Sequence, residues 1–199
     1  QIILSMTENE HTEAEYILQT IQTQLNSGYA LKDMVVLYRT NAQSRVLEET
    51  LLENNIPYKI VGGVRFYQRK EIKDILAYIR LLLNPQDAVS LKRIINIPPR
   101  GIGKKSFERY RNRNTPTAAK INSTAKITAL DAFDALLSEL SKAIHHETAT
   151  GFIKRLVSAV NYREYLDETQ PDAEDRWQNI QELVSVASRY DDLALPTGQ

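Results

Sequence analysis

Two polar turns in this sequence carry residues able to hold a phosphate. The first is Arg39-Thr40-Asn41, directly after the apolar run Met34-Val35-Val36-Leu37-Tyr38. A guanidinium, a hydroxyl and an amide at the end of a strand can hold phosphate or sugar oxygens, and the partial positive charge of a helix amino terminus would add to their attraction. The plainer alternative is that Asn41 only caps its helix and Arg39 pairs with Glu48 or Glu49. The second turn is Pro98-Pro99-Arg100-Gly101-Ile102-Gly103-Lys104-Lys105. Glycines there let the backbone come close to a phosphate, amide N–H groups face it at a helix start, and the basic residues supply charge. Arg100, Gly101, Ile102, Gly103, Lys104 and Lys105 are therefore candidates for gripping duplex DNA without reading its sequence, since phosphates carry no base identity. The alternative is a glycine-rich turn between two helices.

A third stretch, Val64-Arg65-Phe66-Tyr67-Gln68-Arg69-Lys70-Glu71, interleaves cations with aromatics. That mixture suits single-stranded nucleic acid, where bases stack on rings and cations follow the backbone. Aromatics before a strongly apolar helix are equally explained as core. Other chemistries are not supported. His11, His145 and His146 lack partners at ligand spacing, and Asp191-Asp192 reads as charged surface rather than as a catalytic pair. There is no GxxxxGK[ST] phosphate loop and no apolar strand ending in Asp-Glu to hold Mg²⁺, so the sequence is not expected to bind and hydrolyse ATP by itself.

The elements that must position these residues follow from periodicity. Gln1–Met6, Met34–Tyr38 and Tyr58–Val61 read as short strands. Thr12-Glu13-Ala14-Glu15 has capping-box form, and Ala14, Ile17, Leu18, Ile21 and Leu25 mark one helical face that ends at Asn26-Ser27-Gly28. With a helix from Asn41 to about Asn54, the predicted fold is an α/β fragment with a parallel βαβ unit over residues 1–61. Ligands in such sheets sit beyond the carboxyl ends of the strands, where Arg39, Thr40 and Asn41 would lie. Gly62-Gly63 suits a bend or hinge, the alternative being an ordinary turn. From there the pattern is helical, giving a mainly α-helical domain over 62–199. Ile72, Ile75, Leu76, Ile79, Leu82 and Leu83 form an amphipathic helix stopping before Asn84-Pro85. Asp87 caps the next, Pro98-Pro99 ends it, and a helix near Lys104–Arg111 follows. Residues 112–128 read as a mobile loop, and helices resume near 129–144, 149–160 and 172–190.

The strings VVLYRTNAQSRVLEETLL, IPYKIVGGVRFYQRKEIKDILAYIRLLLNP and RIINIPPRGIGKKS resemble the accessory-motif region of the UvrD/PcrA/Rep family of superfamily 1 DNA helicases. The resemblance is nearly continuous from Glu13 to about Asn96 and patchy from there to Tyr190. It implies the start of the second RecA-like domain (2A) up to about Val61 and most of the inserted helical 2B domain, with a helix-hairpin-helix element at Gly101-Ile102-Gly103. By the same resemblance Arg39 and Asn41 lie on the single-stranded DNA track, and the parent protein is an ATP-dependent 3′ to 5′ DNA helicase of repair or replication. ATP and Mg²⁺ would then belong to the remaining helicase domains in cis, and no cofactor to this stretch. Rival readings are a non-enzymatic DNA-binding adaptor and the motor part of a helicase-nuclease subunit.

Composition bounds these readings without deciding them. The 199 residues are 42% hydrophobic and 25% charged, and 25 basic residues balance 25 acidic ones. The distribution is uneven. Lys92, Arg93, Arg100, Lys104, Lys105, Arg109, Arg111 and Arg113 cluster with Glu108 as their sole acidic neighbour, whereas the stretch from Glu164 to Asp192 is strongly acidic. One face is expected to meet polyanions and another to repel them. The absence of cysteine excludes disulfides and thiolate metal sites. No apolar run approaches the roughly 18 residues of a membrane span, so the expectation is a cytoplasmic protein, read as an excised fragment, with DNA and no membrane as partner.

Overall fold

The computed structural model describes residues 2–111 and 128–191. The stretch 112–127, most of the loop expected from sequence, lies outside the described residues. The chain divides into two compact units, Gln1–Arg69 and Lys70–Gln199.

In the first unit, helix α1 (Glu10–Asn26) packs on α2 (Ser44–Glu53). Ala14, Leu18 and Ile21 of α1 and Val46 of α2 are buried, as helical spacing requires. The cap of α1 is Asn9, three residues before the expected one. Its Oδ1 accepts from the amides of His11 and Thr12, both at 3.0 Å, and Thr12 Oγ1 accepts in return from the Asn9 amide at 3.2 Å. Gly28, at φ +95°, ends the helix as its sequence suggests.

The expected α/β architecture is overturned: among the described residues there is no strand and no sheet. Residues 2–6, 34–38 and 58–61 are not paired in a ladder. Met34 has extended angles, φ −112° and ψ 143°, yet Val35 and Leu37 are 79% and 87% exposed. A strand exists only as one side of a hydrogen-bonded pair, and β-branched composition sets the backbone conformation without supplying the partner. The helical part of the supposed βαβ unit does form. It begins as a 3₁₀ turn, Asn41–Gln43, before α2.

The second unit is all-helical among its described residues. Helix α3 (Lys70–Leu83) is its centre, packing against α4 (Ala88–Ile94), α6 (Ala129–Ala143), α7 (Ala149–Ala159) and α9 (Ala173–Ser188). Its buried face comprises Ile72, Ile75, Ala77, Tyr78 and Leu81, with Glu71 and Asp74 in the same register. Asp87 caps α4 by accepting from the amides of Val89 and Ser90, each at 3.0 Å. Helix α5 (Lys104–Arg111) follows, and Thr128 caps α6. A helix absent from the sequence reading, α8 (Tyr162–Thr169), is set off from α7 by Asn161 in the left-handed conformation, φ +53°. Its buried residues, Tyr162 and Leu166, are too few to give a visible period. Among the described residues no helix is long and apolar enough to cross a membrane, and no group of three His, Asp or Glu could hold a metal ion.

Candidate nucleic-acid interface

The segment joining α4 to α5 is fixed from three sides. Asn96 acts as a local pairing partner: its Nδ2 donates to the Ile102 carbonyl at 2.8 Å, and its Oδ1 accepts from the Ile102 amide at 3.1 Å. The Ile102 side chain is buried beneath. Arg100 turns inward. Its Nη1 donates to the carbonyls of Ile94 at 2.9 Å and Ile95 at 3.1 Å, and Nη2 donates to the Tyr78 hydroxyl at 2.5 Å. The guanidinium also lies 4.9 Å from the centre of the Phe133 ring. A cation on the last carbonyls of a helix meets the negative end of its dipole, so Arg100 closes α4. Tyr78 passes its own hydrogen to the Ile97 carbonyl at 2.6 Å, and burial pushes that hydroxyl's pKa up although Arg100 opposes the shift.

What this frame leaves open is backbone and lysine. Gly101 has φ +67°, a conformation side chains strain, and a Cβ on either Gly101 or Gly103 would meet nothing within 4 Å. The outer side of the turn is thus bare backbone in open space. The first intrahelical bond of α5 runs from the Phe107 amide to the Gly103 carbonyl at 3.0 Å. The amides of Lys104, Lys105 and Ser106 precede it and have no intrahelical acceptor. Lys104 and Lys105 are exposed beside them. Unsatisfied amides, absent side chains and two cations form a surface on which a phosphate can sit closely.

The basic cluster expected here is thinner than its sequence. Lys92 is exposed, but Arg93 donates to Asp74 Oδ1 at 2.7 Å and to the Lys70 carbonyl at 3.1 Å. Arg113 and the side chains of Arg109 and Arg111 lie outside the described residues.

The turn at Arg39-Thr40-Asn41 is held differently. Gln43 Oε1 accepts from the amides of both Arg39 and Thr40, each at 3.0 Å. Asn41 is the first residue of the 3₁₀ turn rather than its cap, and Thr40 occupies the cap position. Arg39 and Asn41 are exposed and Thr40 is half-buried. The pairing of Arg39 with Glu48 or Glu49 does not occur. Gly63 is brought to this turn, since a Cβ on it would stand 3.8 Å from Asn41 Oδ1 and 3.2 Å from Ile60 Cγ2. Gly62 has φ +75° with open space around it.

The aromatic stretch after the glycines folds onto α2. Phe66 is buried, and Tyr67 donates to Glu49 Oε1 at 3.0 Å. This settles the packing alternative for Phe66. It also exposes what sequence reasoning missed: Glu48 is buried and gathers Ser44 Oγ at 2.8 Å, the Tyr58 hydroxyl at 3.2 Å and the Phe66 amide at 3.3 Å. Arg69 reaches Ser44 Oγ at 2.7 Å and the Val64 carbonyl at 3.2 Å, with Glu48 at 3.8 Å. Burial and the Glu48 charge raise the pKa of Tyr58. In the second unit Asp74, fully buried, collects Lys70 at 3.0 Å, Arg93, and the Tyr162 hydroxyl at 2.8 Å. Burial first, and then Asp74, keep that tyrosine protonated. The available signal was a pair of acids, Glu71 and Asp74, in register with the apolar face of α3.

The model of the UvrD-like helicase C-terminal domain matches residues 1–198. The chain belongs to that family. Among its relatives, the ATP-dependent DNA helicase PcrA of Staphylococcus epidermidis is 40% identical over 94% of this chain and 27% of that protein. PcrA of Staphylococcus aureus is 38% identical with the same coverage. The chain therefore spans about a quarter of the length of the curated relatives it matches. Both the 39–41 turn and the 96–105 hairpin lie inside the matched UvrD-like domain.

Proposed function

We propose that this UvrD-like domain is the DNA-gripping part of an ATP-dependent 3′ to 5′ DNA helicase of repair or replication, acting in the cytoplasm. The observation that carries the reading is the Gly101-Ile102-Gly103 hairpin, whose inward residues are all engaged while its outer backbone, α5 amides and Lys104 and Lys105 stand open. In this reading α4, the hairpin and α5 form a helix-hairpin-helix element on duplex phosphates, and Arg100 acts by bracing the turn. Arg39, Thr40 and Asn41 take phosphate or sugar oxygens of a single strand. Residues 1–61 belong with the motor domain 2A and 62–199 with the inserted domain 2B, with Gly62 and Gly63 as the hinge. The parent uses ATP, as the relatives' names say of them, and in this reading ATP and Mg²⁺ are held by other helicase domains in cis.

The test is duplex binding by the chain, with Gly101→Val as the variant. A β-branched residue is strained at φ +67° and would stand where the phosphate approaches. Affinity should fall by at least tenfold, equally for unrelated sequences, while circular dichroism stays unchanged. Undiminished binding by a folded variant would remove the hairpin from the interface. For the 39–41 turn, Arg39→Ala in the full-length parent should weaken single-strand affinity. A change in ATP use alone would assign that phosphate to the nucleotide.

A further inference from the structure

The second unit carries a groove that the DNA-gripping reading does not use. It has a volume of about 600 Å³ and lies among α7, α8 and α9. Val157 of α7 and Ile180, Val184 and Trp177 of α9 supply its apolar lining. The left-handed turn at Asn161 separates α7 from α8, and α9 packs against both. Trp177 is half-buried, and its ring lies 5.2 Å from the Arg163 guanidinium. Arg163 is itself tied to Asp167 at 3.0 Å and Glu174 at 2.9 Å. The tryptophan wall is therefore positioned before anything binds, which lowers the ordering cost of an occupant.

The rim decides which occupant fits. Glu164 and Glu168 stand four residues apart on α8, both exposed and both lining the groove, beside Asp167. Like charges at this spacing oppose each other along a helix. Arg163 answers Asp167 and Glu174, and Lys154 stands on the α7 side. The rim thus has carboxylates to spare around an apolar, tryptophan-lined floor. A nucleic-acid backbone would be repelled there, whereas a cation-bearing segment with apolar anchors would be attracted. We propose that this groove docks a short basic amphipathic segment of a partner protein, its apolar side chains against the half-exposed Trp177 ring, which Val157 and Ile180 back from within the core, and its lysines or arginines against Glu164 and Glu168. This places protein docking on a surface separate in residues from the hairpin that meets DNA.

Trp177 is the chain's single tryptophan, so its emission reports the groove directly. The full chain is titrated with a synthetic amphipathic peptide of leucine and lysine lacking aromatics, and with a control in which every lysine is replaced by glutamate. The lysine peptide should give a saturable blue shift and the glutamate peptide none. Glu164→Lys with Glu168→Lys should weaken the lysine peptide at least tenfold. Ser158→Arg, placed in the groove lining, should do the same, both variants keeping the wild-type melting curve. An equal response to both peptides, unchanged affinity in the folded variants, or a shift produced by duplex DNA would each overturn the proposal.

Discussion

The hairpin at 96–103 and the turn at 39–43 both present phosphate-holding chemistry, but they are built in opposite ways. In the hairpin the polar side chains are spent on the protein: Asn96 on Ile102, and Arg100 on the end of α4 and on Tyr78. Its open chemistry is backbone, glycine and the two lysines. In the turn one side chain, Gln43, holds the backbone, and the guanidinium of Arg39 and the Asn41 amide face outward. A surface made of backbone needs a rigid frame, because its geometry is its specificity for a phosphate. A surface made of long side chains does not. Support residues should therefore matter for the hairpin and contact residues for the turn.

The largest expected effect comes from removing the frame beneath α4. Asp74→Ala leaves the part-exposed Arg93 and the buried Tyr162 hydroxyl without their shared carboxylate, and losing these charged hydrogen bonds costs about 3 kcal/mol or more. Denaturant unfolding followed by Trp177 emission measures it, and a loss under about 1 kcal/mol would mean that α3 and α4 are held by apolar packing alone. Next is Arg100→Ala, expected to cost about 1.5–3 kcal/mol from its charged hydrogen bonds and to weaken duplex binding. If it lowered affinity with no change in stability, Arg100 would be a contact residue and the contrast between the two regions would fail. Asp87→Ala removes the cap of the helix that feeds the hairpin and should lower stability by less than Arg100→Ala does.

Asp87 also carries a pH signature. The Ser90 hydroxyl and amide hold its carboxyl below the ordinary 3.8. A carboxyl depressed in the folded state stabilises fully above its unfolded pKa and loses that contribution as pH falls through the lower, folded value. The stability gap between the wild type and Asp87→Ala should thus be constant near neutrality and close below about pH 4. The smallest stability effect belongs to the turn. Since Asn41 is not a cap, Arg39→Ala and Asn41→Ala should stay within about 0.5 kcal/mol of wild type while single-strand affinity falls. A larger loss for Asn41→Ala would restore it as a structural residue.

Much of the second unit was legible because its signals are local: Ile72 to Leu83 at helical spacing, Asp87 as a cap, and glycines flanking Ile102. What failed were relations between distant residues. The apolar runs at 34–38 and 58–61 have strand composition, but pairing depends on a neighbour that composition does not name. Arg100 stands out in sequence by its position beside the glycines, and only the fold shows that the end of α4, Tyr78 and Phe133 also hold it. Glu48 read only as a surface partner for Arg39 and Asp74 drew no notice, because a buried carboxylate is recognised by its partners, which lie as far along the chain as Phe66 and Tyr162.

The central claim is that the hairpin grips duplex phosphates through its open backbone and lysines, and a salt series tests it most directly. Duplex affinity is measured for the wild type, Lys104→Ala, Lys105→Ala and the double variant, with folding checked by circular dichroism. Each lysine that neutralises a phosphate should reduce the slope of log affinity against log salt by about 0.9, with equal losses on unrelated sequences. Unchanged slope and affinity in folded variants would contradict the account and leave the hairpin as a turn between two helices.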